Sequence, residues 1–497
     1  MKFISTRGFD QVENSAKAIT QGLAGDGGLF VPEKFPKITD EQICNMLDMT
    51  YSERACFLLH QYLGEYDYNQ LLNACNKAYS KFEDSEPAQL VKIDDKKFIM
   101  ELFHGPTLAF KDVALTLLPY LMRKGCDICG IDDEILILTA TSGDTGKAAL
   151  EGFKDANGIK IMVFYPSDGV SEMQKMQMRT QEGNNLKVVA IKGNFDDCQT
   201  AVKNIFSDKE FAKKIKEQNV ILSSANSMNF GRLVPQITYY FSSYCDLVNS
   251  DEIKMGEKVN FVVPTGNFGN ILAGYYAKQM GLPINKLICA SNDNNVLTEF
   301  FNEGTYDINR EFFKTISPSM DIIISSNLER LLFEMSGRDA KETASKMASL
   351  KKDGKYTVSK QEKDFIDKDF YADFADEQDC NNKIGEFFDE YGYVLDTHTA
   401  VAMCVSDAYK QNYPLDECVN VVLSTASPYK FAKDVLKAID GKTMADAFKC
   451  ARKLNELTAS PIPKQILDLQ SKEQRFNQII DKNSTLDAVI DFINDKI

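Results

Sequence analysis

Apolar runs of strand length alternate with segments of helical periodicity from Lys92 onward, and this alternation restricts the fold more than any other feature of the chain. Glu134–Ala140 and Lys258–Val263, for example, have the apolar character of buried strands, and each leads through a glycine-containing loop into a helical segment. Repeated strand–helix units are typical of an open, mostly parallel α/β sheet. Ligands bind such sheets at the carboxyl ends of the strands. The loops at those ends are therefore the places where chemistry is expected.

The same periodicities divide the chain into expected elements and domains. Strands are predicted at Phe98–Met100, Glu134–Ala140, Ile159–Tyr165, Lys187–Ile191, Lys258–Val263, Cys289–Ala290 and Val419–Leu423. Helices are predicted at Gln42–Met49, Arg54–Leu63, Tyr68–Phe82, Lys147–Phe153, Ser171–Arg179, Asp196–Phe206 and Ile271–Met280. Residues 350–378, rich in Lys and Asp, read as a surface insertion or a solvated helix. The expected domains are 1–90 (N-terminal, mainly helical), 91–130 with 235–440 (large), 131–234 (small, α/β) and 441–497 (C-terminal, helical).

The composition limits the classes of partner. The 497-residue chain has a net charge of −15 and a sequence pI of about 4.9, which argues against nucleic acid or an anionic membrane as partner. No apolar run of transmembrane or signal-peptide length is found, so a cytoplasmic protein is expected. The 12 cysteines are scattered, and the pair Cys126 and Cys129 lacks the further ligands of a zinc site. Buried thiols and no metal are therefore predicted.

Lys111 is the candidate catalytic residue. It follows the strand Phe98–Met100 and the turn His104–Thr107, and a helical apolar pattern begins immediately after it. A helix N-terminus disfavours a cation, and the neighbouring Leu108 and Phe110 are apolar. Both effects would lower the pKa of the amine and make it available for covalent chemistry. The alternative is an ordinary solvated lysine at the start of a helix.

Four loops have the composition of binding sites. Gly266–Asn270 follows a strand and precedes a helix, which is an arrangement suited to a phosphate, although a structural turn is the alternative. Thr141–Thr145 offers hydroxyl and N–H groups to a carboxylate. Asn226–Arg232 combines polar side chains with an arginine and would suit a phosphate, or would merely cap a helix. The fourth, Leu423–Lys430, follows the last predicted strand. With only three histidines, His60, His104 and His398, a Ser-His-Asp hydrolase has few routes, and His398 is interpreted as a cap or core residue without assigned chemistry.

The run Phe103-His-Gly-Pro-Thr-Leu-Ala-Phe-Lys-Asp112 closely resembles the lysine segment of threonine synthases, which are pyridoxal-phosphate enzymes of fold type II with a tryptophan synthase β-like fold. The resemblance implies two interleaved domains with open, mostly parallel sheets, and an N-terminal mainly helical domain. It covers most of the chain, since the other loops occur in the family's order. It also implies pyridoxal 5'-phosphate as cofactor, bound covalently by Lys111 beside Phe110.

The resemblance assigns a role to each of the four loops. Gly266, Asn267, Phe268, Gly269 and Asn270 match the family's cofactor-phosphate loop, and Thr425 is the residue that would face the pyridine nitrogen. The loop implied to hold the substrate's carboxylate is Thr141, Ser142, Gly143, Asp144 and Thr145, and the set implied to hold its phosphate is Asn226, Ser227 and Arg232. The chain departs from the pattern at Ser427, where relatives usually have a histidine before the proline.

The implied reaction converts O-phospho-L-homoserine and water to L-threonine and phosphate, which is the last step of threonine biosynthesis. Lys111 would take the Cα proton, and the γ-phosphate would leave while Asn226, Ser227 and Arg232 hold it. No nucleic-acid or membrane partner is expected, and the protein would be a monomer or homodimer. Two alternatives stay open: another fold type II lyase, such as a threonine dehydratase or an amino-acid phospholyase, or a non-catalytic homologue that binds phosphorylated amino acids.

Overall fold

Two largely parallel sheets form the centre of the molecule, and a computed structural model describes them within residues 1–8, 11–141, 143–167 and 170–494. The larger sheet has six strands, of which only the edge strand Gln89–Lys92 is antiparallel to its neighbour. Its order across the sheet is Phe370–Phe374, Ile284–Ser291, Val259–Pro264, Val419–Ser424, Lys97–Glu101 and Gln89–Lys92. Val259–Pro264 and Val419–Ser424 are buried along their whole length, as expected for parallel strands covered on both faces.

The smaller sheet has five strands, all parallel. Its order is Ile479–Asp481, Leu186–Lys192, Ile159–Pro166, Glu134–Ala140 and Val220–Ser223. The helices of this part are Asp144–Phe153, Glu172–Arg179, Phe195–Ser207, Lys209–Lys216 and, from the end of the chain, Thr485–Asn494. Val489 and Phe492 of that last helix are buried in the core of the small sheet. Distant parts of the sequence therefore build one layer.

The helices of the larger part surround the six-stranded sheet. They are Asp112–Leu115, Leu118–Cys129, Phe230–Leu233, Ile237–Asn249, Gly269–Met280, Val296–Glu303, Leu328–Met335, Ala340–Asp353, Lys360–Asp369, Glu377–Tyr391, Thr397–Asn412, Ala432–Asp440, Ala447–Thr458 and Lys464–Leu467. Beside them, Thr305–Asp307 and Lys355–Thr357 form a separate two-stranded ribbon. The helix Thr397–Asn412 lies against four strands of the large sheet. In its first turn, the Thr399 hydroxyl donates to the hydroxyl of Ser424, the last residue of the strand Val419–Ser424, at 2.9 Å.

The N-terminal region combines helices with a small antiparallel sheet. The strands are Phe3–Ser5, Gln11–Val12 and Phe30–Pro32, and the helices are Ser15–Gln21, Asp40–Met46, Tyr51–Tyr62 and Tyr68–Tyr79. Thr39 and Thr50 begin their helices with complete capping boxes, because Gln42 and Glu53 return a hydrogen bond to the capping residue. The predicted helices are confirmed here, and the three strands are an addition to the mainly helical prediction.

The structure corrects the sequence interpretation in three places. Residues 350–378 are not only a surface insertion, since Phe370–Phe374 is an edge strand of the large sheet and pairs with Ile284–Ser291. The segment after Gly441 is not only helical, because Ile479–Asp481 pairs with Leu186–Lys192. The apolar pattern after Lys111 is two helices, Asp112–Leu115 and Leu118–Cys129, separated by Thr116 and Leu117. The domain limits stay a prediction.

The mixed α/β fold with two mostly parallel sheets is confirmed. All seven predicted strands are present, most with ends within two residues of the prediction; Cys289–Ala290 is the inner part of the longer strand Ile284–Ser291. In the part of the chain that the structure describes, no helix is long and apolar enough to cross a membrane.

Candidate active site

Lys111 lies where the strand Lys97–Glu101 has ended and the helix Asp112–Leu115 begins. The intervening turn is shaped by Asp112, whose buried carboxylate accepts hydrogen bonds from the N–H (2.8 Å) and hydroxyl (2.5 Å) of Thr107. Phe110 donates its N–H to the carbonyl oxygen of Thr425 at 2.9 Å. The lysine segment is thereby held beside the segment that follows the neighbouring strand of the large sheet.

The Lys111 amine is enclosed by polar and aromatic groups. Its Nζ lies 3.4 Å from Asp144 Oδ2, 3.4 Å from Ser319 Oγ and 4.7 Å from the centre of the Phe110 ring. The side chain is 11% exposed. Burial lowers the pKa of Lys111 and Asp144 opposes this, while the charges of Lys430 and Arg232 lower the pKa further. The pKa of Lys111 is lowered, as the sequence predicted. The main cause, however, is burial and not the dipole of the helix that follows, which has only four residues.

Asp144 is a buried carboxylate shared by two of these cations, Lys111 and Lys430. Its Oδ1 lies 2.6 Å from Lys430 Nζ and accepts from Gln174 Nε2 at 2.9 Å. Burial would raise the pKa of Asp144, but Lys430 and Lys111 hold it well below its ordinary value. With Lys111, Lys430 and Arg232 protonated, the cluster has more positive than negative charge. An excess of buried positive charge suits an anionic ligand.

The loop Thr141–Thr145 connects the strand Glu134–Ala140 to the helix Asp144–Phe153 of the small sheet. Thr141 Oγ1 accepts from the N–H groups of Gly143 (3.0 Å) and Gly146 (2.9 Å), so this hydroxyl shapes the loop. Gly143 has a φ of +144°, and a Cβ there would lie 2.4 Å from Gln174 atoms. Ser142 lies outside the described residues. The Asp144 carboxylate faces cations and offers no donor to another carboxylate.

The loop Gly266–Asn270 follows the strand Val259–Pro264 of the large sheet. A Cβ on Gly266 would lie 2.6 Å from the carbonyl oxygen of Ser319, so only glycine fits there. Phe268 has a φ of +62° and its side chain is buried against Phe301, so only its backbone is available to a ligand. Asn270 Oδ1 accepts from two tyrosine hydroxyls, and its buried Nδ2 has no partner in the described residues.

Arg232 is a buried cation that has no carboxylate partner in the part of the chain that the structure describes. Its Nη1 donates to the carbonyl oxygen of Ala225 at 2.6 Å, whereas its buried Nε has no partner in the described part of the chain. Burial lowers the pKa of Arg232 to about 10. A Cβ on Gly269 would lie 3.9 Å from the Cβ of Ser227, so the loops Asn226–Arg232 and Gly266–Asn270 are neighbours.

Arg330 holds these two loops together. Its guanidinium is fully buried and donates to Met228 O (2.7 Å) in one loop and to Asn327 Oδ1 (2.5 Å). Asn327 in turn donates its backbone and side-chain N–H groups to Asn267 O at 3.1 and 3.0 Å. The guanidinium also reaches Phe30 O of the N-terminal sheet at 3.0 Å. One side chain therefore fixes both predicted phosphate loops.

The segment after the strand Val419–Ser424 runs antiparallel to the lysine segment through a bridge between Ala109 and Ala426. Thr425 is 6% exposed. Ser427 donates its N–H to Leu108 O at 3.1 Å, and its hydroxyl oxygen caps the short helix Pro428–Phe431 by accepting from Tyr429 N at 3.4 Å. Ser427, where the sequence departs from the resemblance, is therefore a helix cap.

The structure brings the predicted loops together around Lys111 and adds residues that the sequence did not mark. Lys430 stands in a segment that was singled out, but only its complete burial identifies it as more than a surface lysine. Ser319 and Gln174 lie in segments without a motif, and no sequence signal points to them. His398 accepts from the Ser319 N–H at 3.2 Å, although it was assigned no chemistry.

Family models and relatives of known class match most of this chain. The family model described as "Pyridoxal-phosphate dependent enzyme" matches residues 89–425, a range that contains every predicted site residue. The fold and the site thus define a pyridoxal-phosphate-dependent enzyme of fold type II. The models described as "Threonine synthase N terminus" and "Threonine synthase, C-terminal" match residues 2–79 and 399–493.

The chain belongs to the threonine synthase family. It is 37% identical to threonine synthase of Pseudomonas aeruginosa over 96% of this chain and 95% of that protein. It is 41% identical to human threonine synthase-like 1 over 85% of its own length, but spans 58% of that longer protein. Pyridoxal-phosphate-bound threonine synthase of Brucella melitensis superposes with a TM-score of 0.87 at 37% identity, covering 99% of this chain and 98% of that one. The yeast enzyme superposes with a TM-score of 0.88 at 33% identity, with 99% and 98% covered.

Proposed function

We propose that this protein is a threonine synthase, which converts O-phospho-L-homoserine and water to L-threonine and phosphate as the last step of threonine biosynthesis. The observation that supports the proposal is the cluster around Lys111. A buried amine of lowered pKa lies beside Asp144, and the charge of Arg232, which has no carboxylate partner among the described residues, acts on it. A lyase acting on a phosphorylated amino acid needs such an amine together with cations for the phosphate.

The residues present fit pyridoxal phosphate. A Cβ on Gly266 would collide with the carbonyl oxygen of Ser319, so glycine lets the loop Gly266–Asn270 pack against the turn that carries Ser319 beside Lys111. The buried Asn270 Nδ2 and Arg232 Nε lack partners in the described residues, so both are available to donate a hydrogen bond to a ligand. The positive excess suits the anionic groups of cofactor and substrate. In this proposal Lys111 binds the cofactor, Gly266–Asn270 holds its phosphate, and Phe110 and Thr425 contact its ring.

The chemistry is divided between the cofactor and the chain. When bound, pyridoxal phosphate supplies an electron sink for negative charge that develops at Cα. Lys111, once free, accepts the Cα proton at Nζ, for which burial has prepared it by lowering its pKa. Asp144 opposes that shift and keeps the amine oriented, and Lys430 keeps Asp144 ionised. Without Lys430, less of the desolvation cost of the buried carboxylate would be offset.

The remaining loops are proposed to orient the substrate. Arg232, with Asn226 and Ser227, holds the substrate's phosphate as it leaves, because a guanidinium binds phosphate with two parallel hydrogen bonds. The loop Thr141–Thr145 holds the carboxylate through backbone N–H groups at the start of the helix Asp144–Phe153. The Asp144 side chain does not take part in that contact, since it faces Lys111 and Lys430.

The experiment that tests the function is the release of phosphate and threonine from O-phospho-L-homoserine by the protein loaded with pyridoxal phosphate. Equal amounts of the two products are expected. The variant Lys111→Ala is expected to lose nearly all turnover and the covalent bond to the cofactor. A matched control is Lys278→Ala, which removes a lysine of the large domain that pairs with Asp369 and does not contact the site.

Other outcomes separate the alternatives. Phosphate with a keto acid in place of threonine would show a dehydratase or phospholyase. Binding of the substrate without any product, by protein that takes up no cofactor, would show a non-catalytic homologue. Substantial turnover by Lys111→Ala would contradict the role of Lys111.

We further propose a cytoplasmic location and a monomer or homodimer. All 12 cysteines are free thiols, as is common in a reducing compartment. Light scattering during size-exclusion chromatography measures the oligomeric state, and a mass above that of a dimer would contradict the proposal.

A further inference from the structure

Ser319 contacts the Lys111 amine from a segment that carries no recognisable motif. It lies in the short helical turn Pro318–Met320, between the strand Thr305–Asp307 and the helix Leu328–Met335. Its Oγ lies 3.1 Å from Asp144 Oδ2 and 3.4 Å from Lys111 Nζ. An ionised carboxylate only accepts, so the single hydroxyl hydrogen goes to Asp144, and a lone pair accepts from the amine. Ser319 therefore bridges the two groups.

His398 fixes the backbone that presents this hydroxyl. Its ring is 2% exposed; Nε2 accepts the Ser319 N–H at 3.2 Å, and Nδ1 lies 2.9 Å from Asp396 Oδ1. Since Nε2 is an acceptor, the ring hydrogen is on Nδ1 and is donated to Asp396. The backbone N–H of His398 also donates to Asp396, at 2.9 Å. The ring orientation is thus set from the first turn of the helix Thr397–Asn412.

A second anchor holds the other side of the same turn. Asp321 accepts from Thr315 N (2.9 Å) and Thr315 Oγ1 (2.7 Å). Asn292 and Asn294, which follow the strand Ile284–Ser291, donate to Asp321 at 2.8 and 3.1 Å. The position of Ser319 is therefore determined by the end of one strand, Ile284–Ser291, and by one helix, Thr397–Asn412. So many constraints on one hydroxyl are difficult to explain by packing alone.

We propose that Ser319 holds the Lys111 amine within the catalytic site and that His398 is a positioning residue that acts through Ser319. The proposal rests on the proposed function only for the chemistry assigned to Lys111. The charged groups that face Lys111 are Asp144, Lys430 and Arg232, and those that face His398 are Asp396 and Asp321. Ser319 is the neutral member that connects the two sets.

The test measures the reactivity of Lys111 directly. Cofactor-free, full-length protein is labelled with trace acetic anhydride at a series of pH values, and acetylation of Lys111 is quantified by mass spectrometry. In Ser319→Ala the ammonium form loses an acceptor, so the pH midpoint of labelling is expected to fall by about half a unit. This corresponds to about threefold faster labelling below the midpoint. His398→Leu is expected to change labelling in the same direction, and His398→Asn, which keeps an acceptor and a donor, is expected to change it less.

The double variant Ser319→Ala/His398→Leu gives the sharpest outcome. If His398 acts through Ser319, the double variant has the midpoint of Ser319→Ala, because the hydroxyl that His398 positions is absent. Additive shifts would overturn the role of His398, and an unchanged midpoint in Ser319→Ala would overturn the role of Ser319. His60→Leu, on the N-terminal helix Tyr51–Tyr62, is the control histidine variant. The labelling needs no turnover, so a chain that makes no threonine still gives a decisive result.

In the loaded enzyme a second readout is independent of turnover. The visible absorption of the lysine-bound cofactor is titrated with pH for the same variants. A midpoint that moves in Ser319→Ala but not in His60→Leu is expected. A common midpoint in all variants would contradict the proposal.

Discussion

At the scale of single residues, the site depends on a carboxylate shared between buried cations. Asp144 and Lys430 have side-chain exposures of 3% and 0%. Such a pair adds little stability relative to apolar residues of similar volume, but loss of one partner leaves an uncompensated buried charge. The pair therefore stabilises the arrangement around Lys111 more than it stabilises the fold.

Asp144→Asn is expected to lower the free energy of unfolding by about 3–5 kcal/mol, because Lys430 is left buried without its carboxylate. Urea unfolding monitored by circular dichroism measures the change. Asp95→Asn, at a 99% exposed carboxylate paired with Lys92, is the control and is expected to change stability little. The double variant Asp144→Asn/Lys430→Met is expected to recover most of the loss, and an unrecovered loss would contradict the explanation.

The difference in stability between the native protein and Asp144→Asn is also expected to depend on pH. The pKa of Asp144 is lower in the folded protein than its ordinary value. The contribution of Asp144 to stability is therefore fully present above the ordinary pKa and is lost as pH falls through the lowered pKa. The difference in stability between the native protein and Asp144→Asn is therefore expected to shrink under acid conditions. A difference that grows with acidity would contradict this assignment.

At the scale of elements, the strand-to-helix loops meet because parallel strands place their carboxyl ends at one edge. Gly266 follows the strand Val259–Pro264 of the large sheet, and the carbonyl oxygen of Ser319 occupies the space that a Cβ on Gly266 would need. The segments that contain Lys111 and Thr425 follow two neighbouring strands. The two segments are joined by the hydrogen bond from the Phe110 N–H to the carbonyl oxygen of Thr425. The arrangement of the strands thus determines which loops are neighbours, and the glycine determines how closely their backbones approach each other.

Gly266→Ala is expected to weaken binding of pyridoxal phosphate at least about tenfold, because the 2.6 Å contact forces the turn Pro318–Met320 away from the loop. Titration of cofactor absorbance measures the dissociation constant. Gly64→Ala is the control, since its nearest atom would be 3.8 Å from the new Cβ, an ordinary contact distance. Equal affinities for the two variants would show that the close approach has no functional consequence.

At the scale of the whole molecule, the end of the chain completes the small sheet. Ile479–Asp481 pairs with Leu186–Lys192, and Val489 and Phe492 close the core behind it. Arg330 donates to the carbonyl oxygens of Phe30 and Met228, and so joins the N-terminal region to a loop of the candidate site. Both ends of the sequence therefore take part in the tertiary structure, the C-terminal end in the small sheet and the N-terminal end beside the loop of Met228.

Removal of residues 471–497 is expected to expose the edge of the small sheet. Amide hydrogen exchange in Leu186–Lys192 is expected to accelerate at least about tenfold, whereas exchange in Val259–Pro264 of the large sheet is expected to stay unchanged. Mass spectrometry of peptic fragments measures both strands in one sample, so the large sheet is the internal control. Equal acceleration in both sheets would show that the two parts unfold together.

The sequence by itself determined the main strands, the α/β class and the loops that carry glycine, because these features follow from local periodicity and local backbone requirements. Glu134–Ala140 was predicted with its observed ends, and Gly266 was marked because it stands between a strand and a helix. Lys111 was predicted as the catalytic residue from its position before a helix and from the resemblance of the run around it to a known family, and this role stays a prediction.

Only the tertiary structure decided the edge strands and the partners of Lys111. Val220–Ser223 and Ile479–Asp481 are short and partly exposed, so only pairing with a neighbour defines them as strands. Ser319 and Asp144 are 175 positions apart, and no local pattern records that they meet. The physical reason is that a hydrogen bond between distant residues depends on how the sheets are connected, whereas a strand or a glycine turn depends on its immediate neighbours.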